Sequence, residues 1–593
     1  MSQDQTSPSS SVSLIPKQQI SDVPISIGYG TIKSSRKSLT SQERLDAYQD
    51  NEIPRSALPG SSVDSPSTLH RGLHPRQVQM IAIAGTIGTG LFLGTGRSLA
   101  QGGPASMLIC YSIVGFIVYV TLLLLGEMAT QYPVAGSFNA YATRFFSPAY
   151  GFSLSWNYWF NDAVSVASDL TAAQLVLEFW SVPNSWLFCL AVWIFLVSVN
   201  SIHVKAYGEL EYWLSSLKVM TIVLFILVGI LVNVGANREH RFIGFENWSI
   251  PGAPFVGGFG GFAHVFVTAS FAYGGTESLG ITAGETRNPG KNMPIVVKFV
   301  FWRILLFYLL TILLIGLNVP WDYPNLSNKS ATTSPFTIVF KKFGSTTAAS
   351  LMNTVILSSV ISAGNHALFA GTRVLYGLAE ASQAPSLFAR TTRGGVPLPA
   401  LLMTSSISAL CFASSFIGSG QLWAWLQNLV GVSNQIAWLS IGIASWRFRA
   451  AWRTQGRPLS EMKFRVRWTW PWGPPFVITA VSAIILIQGW SSVIPHFSAV
   501  DFVLLYIELF VMALMYILWL LVRRGLPLSA LSISSPAGTH QARPFFDFVD
   551  LARVDLYHDE HEDEQTDKHE DEVRAQRLSG RAGWAWALFY AVV

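Results

Sequence analysis

The sequence predicts an all-α polytopic membrane protein of twelve transmembrane helices, a five-plus-five inverted repeat with two helices added. Three observations predict it. Of the 593 residues, 50% are hydrophobic and only 12% charged, about half the charge of a soluble domain, and mean hydropathy is +0.38. Twelve apolar stretches follow residue 76, each close to the ~20 residues that cross a hydrocarbon core. The first and sixth are interrupted by glycines. An offset of five places the second five-helix unit upside down relative to the first, the pattern of many secondary transporters.

Residues 1–75 are rich in Ser, Thr, Pro and Gln without apolar periodicity, which predicts a disordered tail and no cleavable signal peptide. The spans lie near 77–96, 104–126, 152–176, 186–204, 213–235, 261–283, 296–318, 347–372, 398–418, 423–446, 474–491 and 500–522. Span one holds the run Gly85-Thr86-Ile87-Gly88-Thr89-Gly90. Each glycine costs roughly 1 kcal/mol against alanine in a helix, so three in six residues favour a break. The alternative is an unbroken helix packed closely through small residues. Span six carries Gly274-Gly275 at its centre. A broken backbone survives in hydrocarbon only where protein or a watery cavity covers it, and paired interruptions mark a midplane binding site. Amides opening the second half of span one suit a carboxylate, while freed carbonyls suit an ammonium group.

Orientation follows from basic residues in short loops. Loops after even-numbered spans hold Arg144, Lys205, Arg287, Lys291, Arg390, Arg393 and the cluster Arg447, Arg449, Arg453, Arg457, Lys463, Arg465 and Arg467. Loops after odd-numbered spans hold Arg97, Arg238, Arg241, Lys329, Lys341 and Lys342. Those named number thirteen against six, placing even loops and both termini in the cytosol. The glycosylation sequons at Asn247, Asn325 and Asn328 fall in loops assigned outside, in agreement. The domain expectation is a cytosolic tail over 1–75, a twelve-helix domain over 76–524, and a second cytosolic tail over 525–593. The acidic run Asp559 to Glu572 reads as a solvated segment; the apolar end, RAGWAWALFYAVV, is too short to span.

The net charge of +5 is spread over loops and tails, so no nucleic-acid partner is expected. Cys110, Cys189 and Cys411 all lie in apolar spans, which argues against a disulfide framework or a metal site. No HExxH helix, metal-spaced Cys/His cluster or serine nucleophile elbow occurs, so no catalytic residue, cofactor or enzyme activity is expected.

Five blocks carry a resemblance: RGLHPRQVQMIAIAGTIGTGLFLGTG, LGEMATQYPVAGSF, GFSLSWNYWFNDAV, FAYGGTESLGITAGETRNPGKNMP and ISAGNHALFAGTRVLYGLA. In this order they resemble the fungal amino-acid permeases, the yeast amino acid transporter family of the amino acid–polyamine–organocation superfamily, from roughly Arg71 to Arg524. The resemblance implies a leucine-transporter-type fold and amino-acid uptake coupled to protons across the plasma membrane. It places the substrate carboxylate at Thr86, Ile87, Gly88, Thr89 and Gly90. The amino group would meet carbonyls near that break and around Phe271, Ala272, Tyr273 and Gly274. Phe271 and Tyr273 would shape or gate the side-chain pocket, ordinary packing being their alternative. Asn365 matches an asparagine that can bond substrate or broken backbone.

Ionisable groups within spans cost at least ~2.5 kcal/mol each, so each needs a reason. Lys218 in span five either snorkels to the interface or sits near the span-one break. The resemblance favours the second reading: Lys218 takes the place of a sodium ion in related transporters and exchanges a proton during the cycle. Glu127, ending span two, is a candidate proton carrier or gate, or a helix-end carboxylate bonding nearby amides. Glu277, after the span-six break, reads as structural with a coupling role open to it. Span three departs from the family: Asp169 replaces the usual glutamate and Asp162 a tryptophan. Seven residues apart, they share a helix face and would attract a cationic substrate if that face lines the cavity. If not, they pair with polar neighbours or stay protonated. Asn434 and Gln435 in span ten also leave the side-chain preference open.

The expected partners are an amino-acid substrate, protons and the lipid bilayer, with ubiquitin-ligase and kinase contacts on the tails. Two rivals remain: a nutrient sensor of the same fold, and a carrier of a polyamine or carnitine.

Overall fold

A computed structural model describes residues 87–134, 136–202, 204–283, 289–324, 326, 333–392, 394–494, 496–524 and 548–557. The expected N-terminal tail, the first half of span one through Thr86, Asn325, Asn328, the acidic run and the apolar C-terminal end lie outside these residues. Helix is the only regular secondary structure among the described residues.

Span one resumes as a π-helical turn, Gly90–Gly94, running directly into α1 (Thr95–Gln131). A loop was expected between spans one and two, but the chain turns within α1 at a single kink. Gly103 takes φ +82° ahead of Pro104, which has no amide to donate and disfavours helical geometry in the residue before it. Two helices then follow, α2 (Ser137–Phe145) and α3 (Pro148–Leu177). Ser147 caps α3 by accepting from the Tyr150 amide at 3.3 Å, with Pro148 at its first position, as first-turn chemistry favours. The amphipathic α2 lies where a plain loop was expected, burying Phe138, Tyr141 and Phe145.

Then come α4 (Ser185–Ile202), α5 (Val204–Asn233), α6 (Gly258–Tyr273) and α7 (Ser278–Ala283). Next is α8 (Pro289–Arg303), continued through a π turn into α9 (Leu310–Asn318). After these stand α10 (Pro335–Lys342), α11 (Thr346–Glu380), α12 (Leu398–Ser408) and α13 (Ser414–Ile417). The last are α14 (Ser419–Thr454), α15 (Gly473–Ile487), α16 (Trp490–Val493) and α17 (Ala499–Arg524). Helix covers the greater part of each expected span after the first. Seven helical stretches among the described residues are long and apolar enough to cross a membrane.

The centre is formed by α3 packed along α11 and α14, with α6 against α1 and α14. Outside it, Ile194, Phe195 and Ile202 on α4 and Phe510, Leu514 and Val522 on α17 are exposed. Such continuous apolar faces would be a liability in water and suit lipid tails. Inside, association rests on close packing rather than on a hydrophobic driving force, for example Tyr207 stacked on Phe369 at 3.9 Å. The helix α10, unexpected from the sequence, packs Phe336 on Phe92 at 4.8 Å, and Ser334 donates to the Phe92 carbonyl at 2.6 Å. It thereby covers the π turn of span one.

The region expected as a C-terminal tail is not wholly detached. Residues 548–557 pack on the end of the bundle formed by α2 and the last turns of α14. The Tyr132 hydroxyl donates to the Leu556 carbonyl at 2.8 Å, and Arg144 to that of Asp555 at 2.7 Å. Gln455 reaches the carbonyls of Leu551 and Val554 at 3.1 and 2.6 Å, while Leu556 is fully buried.

Candidate functional site

The two interrupted helices meet at one point. Gly274 leaves α6 at φ −59°, ψ 156°, and Gly275 takes φ +80°, a left-handed value that glycine adopts without the Cβ penalty. On the other side Ile87 and Gly88 are non-helical and Thr89 opens the next half-helix. The amides of Leu91 and Phe92 both reach the Gly88 carbonyl, at 3.2 and 3.3 Å. A Cβ added at Gly90 would lie 2.3 Å from the Cα of Ala272, so the half-helices touch through backbone.

Between them lies a cavity walled by Gly88, Thr89 and Gly90 on one side and Phe271, Ala272 and Gly274 on the other. Asp162 and Asp169 of α3 both line it, as do His366 of α11 and Asn434 of α14. The ring of Phe271 meets Trp423 edge-on at 6.5 Å. Thr86 falls outside the described residues, and Ile87 turns into the hydrophobic core. Tyr273 requires correction: it is fully buried, stacked on Tyr308 at 4.4 Å and beside Tyr111 at 6.0 Å. Two residues apart on a helix are about 200° apart around its axis, so Phe271 and Tyr273 cannot face one pocket.

A buried polar network backs this wall. The Thr89 hydroxyl donates to Asp169 at 2.7 Å. Lys218, fully buried on α5, has the carboxylates of Asp169 and Glu211 as its charged neighbours. Glu211 accepts from Ser362 and Asn365, each at 2.6 Å, and the Asn365 oxygen accepts from Asn200 at 2.8 Å. The Asn365 amide is therefore committed to this network, a correction to the expectation that it bonds substrate or broken backbone. Glu211 was not anticipated. The available signal was its spacing, seven residues before Lys218 and so on the same helix face.

Glu277 holds the span-six turn. It accepts from Tyr158 at 3.0 Å, Trp438 at 3.1 Å, the Thr276 hydroxyl at 3.1 Å and the Gly275 amide at 3.3 Å. Beside it, His366 bridges the Tyr207 and Ser278 hydroxyls, each at 3.0 Å. Sequence reading passed over this histidine because nothing marks it beyond its neighbour Asn365.

Glu127 stands apart from the cavity. It forms a buried ion pair with Arg449 and accepts from the Val466 amide at 2.7 Å. That partner was hidden among the many cations ending span ten. Asn247 is also corrected as a glycan acceptor. Its side-chain nitrogen, the atom a glycan would occupy, is buried and donates to the Leu317 carbonyl at 2.6 Å. Asn247→Gln is expected to leave electrophoretic mobility unchanged; a downward step matching removal of a glycan would show that the site is modified.

Among the described residues no group of His, Cys, Asp and Glu could hold a metal ion. The chemistry on offer is recognition: two sets of helix-end backbone groups, two carboxylates, and a lysine behind one of them.

Residues 77–528 match the family model described as amino acid permease. The chain is 45% identical to a probable amino-acid permease of Schizosaccharomyces pombe over 470 residues, covering 76% of this chain and 92% of the relative. It is 42% identical to the lysine-specific permease of Escherichia coli, covering 72% and 87% respectively. A histidine permease of Lactococcus lactis is likewise 42% identical, over 71% of this chain and 89% of its own.

Proposed function

The chain belongs to the amino acid permease family, and we propose that it carries amino acids across the plasma membrane by alternating access, coupled to protons. The observation that carries this reading is the cavity between two facing helix breaks. At Thr89 and Gly90 the first amides of a half-helix lack intrahelical acceptors, which suits an α-carboxylate. The carbonyls of Phe271 and Ala272 ending α6 accept from the Gly274 amide at 3.1 Å and the Tyr308 hydroxyl at 2.8 Å, and their second lone pairs suit the α-ammonium. Together they recognise the part common to all amino acids. The names of two relatives mention lysine and histidine, so the scaffold accommodates charged and aromatic side chains.

Proton coupling is assigned to Lys218 with Asp169 and Glu211. Asp169 holds Thr89, which opens the half-helix carrying the carboxylate amides. A proton moving between Lys218 and its carboxylate neighbours alters the anchor of that helix end and so biases one conformation over another. The twelve-span, five-plus-five arrangement with both termini cytosolic supplies the two halves that rock about the fixed site. Glu127 with Arg449 acts as a gate between the ends of spans two and ten.

The test is uptake of labelled amino acids, carnitine and a polyamine into cells lacking their own permeases, at pH 5 and pH 7.5. Amino-acid accumulation, greater at pH 5 and abolished by an uncoupler, is expected. Signalling without accumulation would assign a sensor instead, and uptake of only carnitine or polyamine would reject an amino-acid substrate. Lys218→Ala is expected to lower uptake about tenfold or more and to flatten the difference between the two pH values. An unchanged pH response would remove Lys218 from the coupling path.

A further inference from the structure

The α3 wall of the cavity offers acceptors without donors. Asp162 and Asn161 both line it, and each is almost fully buried. Among the described residues neither Asp162 Oδ2 nor Asn161 Oδ1 has a hydrogen-bond partner. The Asn161 nitrogen donates to Asn434 at 3.4 Å, while its oxygen is buried in the cavity wall without a partner among the described residues. The other carboxylates nearby are occupied. Asp169 holds Thr89 and faces Lys218, and Glu277 has its four donors. Among the described residues the titratable groups that interact with Asp162 are Glu277 and Tyr158, both acids. Gly371 on α11 gives the aspartate its room, since a Cβ there would lie 2.9 Å from that of Asp162.

A buried carboxylate with neither donor nor counter-ion is costly. The side chains that relieve two stranded acceptors at once carry donors only and a positive charge: an ammonium or a guanidinium. Resting on the amino-acid reading above, we propose that Asp162, with the Asn161 oxygen, receives the cationic end of the substrate's side chain, so that this chain selects lysine-like and arginine-like amino acids. Backbone at the two breaks holds the α-carboxylate and α-ammonium, and the α3 wall reads what lies beyond them. A neutral side chain of equal length leaves both acceptors dry, which is how a polar site rejects an apolar analogue.

The experiment compares uptake of labelled L-lysine, L-norleucine and putrescine by cells expressing the full chain, as wild type, Asp162→Asn and Asp162→Glu. Wild type is expected to favour lysine over norleucine, and the ratio to fall about 10- to 100-fold in Asp162→Asn and to recover in part in Asp162→Glu. An unchanged ratio in Asp162→Asn, or a wild type preferring norleucine, would overturn the role of Asp162 and leave amino-acid uptake standing. Uptake of putrescine alone would overturn both, because a diamine has no carboxylate for the span-one amides. Should the variants fail to reach the membrane, purified wild type decides. A melting temperature raised more by lysine than by norleucine supports the proposal, and equal shifts reject it.

Discussion

Alanine at Gly90 is expected to abolish uptake while the chain still inserts into the membrane. The added Cβ would lie 2.3 Å from the Cα and 2.9 Å from the Cβ of Ala272. A flexible side chain can yield to such a contact, but a helix backbone cannot. Overpacking a close contact costs about 1–3 kcal/mol. Here the cost falls on the distance between the two helix ends that form the cavity, so binding is lost before folding is. A displacement near 1 Å in such a site is worth about 100-fold in rate. Gly88→Val acts in the same direction, since the Gly88 Cβ would already stand 3.0 Å from Ala363 before valine's methyls are added. Gly377→Ala on α11 is the matching control, because a Cβ there meets nothing within 4 Å. The measurement is labelled uptake per molecule at the cell surface. Normal uptake by Gly90→Ala would show that the two breaks do not meet in the working transporter.

Removing either member of the Glu127–Arg449 pair is expected to be among the most destabilising changes in the chain. Both side chains are buried, and the guanidinium donates through two nitrogens to the two carboxylate oxygens. The Arg449 guanidinium also lies 4.7 Å from the centre of the Trp470 ring. Breaking such a pair by deleting one partner leaves an uncompensated buried charge, worth about 3–5 kcal/mol. Glu127→Leu and Arg449→Met are each expected to lower the melting temperature of the purified protein sharply. The double variant should recover much of the loss, because two apolar groups leave no charge stranded. Equal and additive losses would mean that the two residues act independently. Glu127→Gln separates the gate from a proton carrier: stability kept but acid stimulation lost would restore the carrier role.

The sequence by itself determined the features that depend on neighbouring residues along one helix. The glycines at 274 and 275 announced the α6–α7 break because their cost is local. The seven-residue spacing of Asp162 and Asp169 put them on one face, and both line the cavity. Only the tertiary structure decided which face of each helix looks inward and which distant group meets which. Tyr273 went to Tyr308 rather than to the pocket, Asn365 to Glu211, and Asn247 inward to Leu317. It also separated two aspartates alike in sequence, giving Asp169 the Thr89 hydroxyl and leaving Asp162 an oxygen without a partner among the described residues. Helix periodicity fixes relative angles along one helix, whereas rotation and partners are set by packing between helices far apart in the chain. The substrate preference proposed for Asp162 therefore depends on what packing left unpaired.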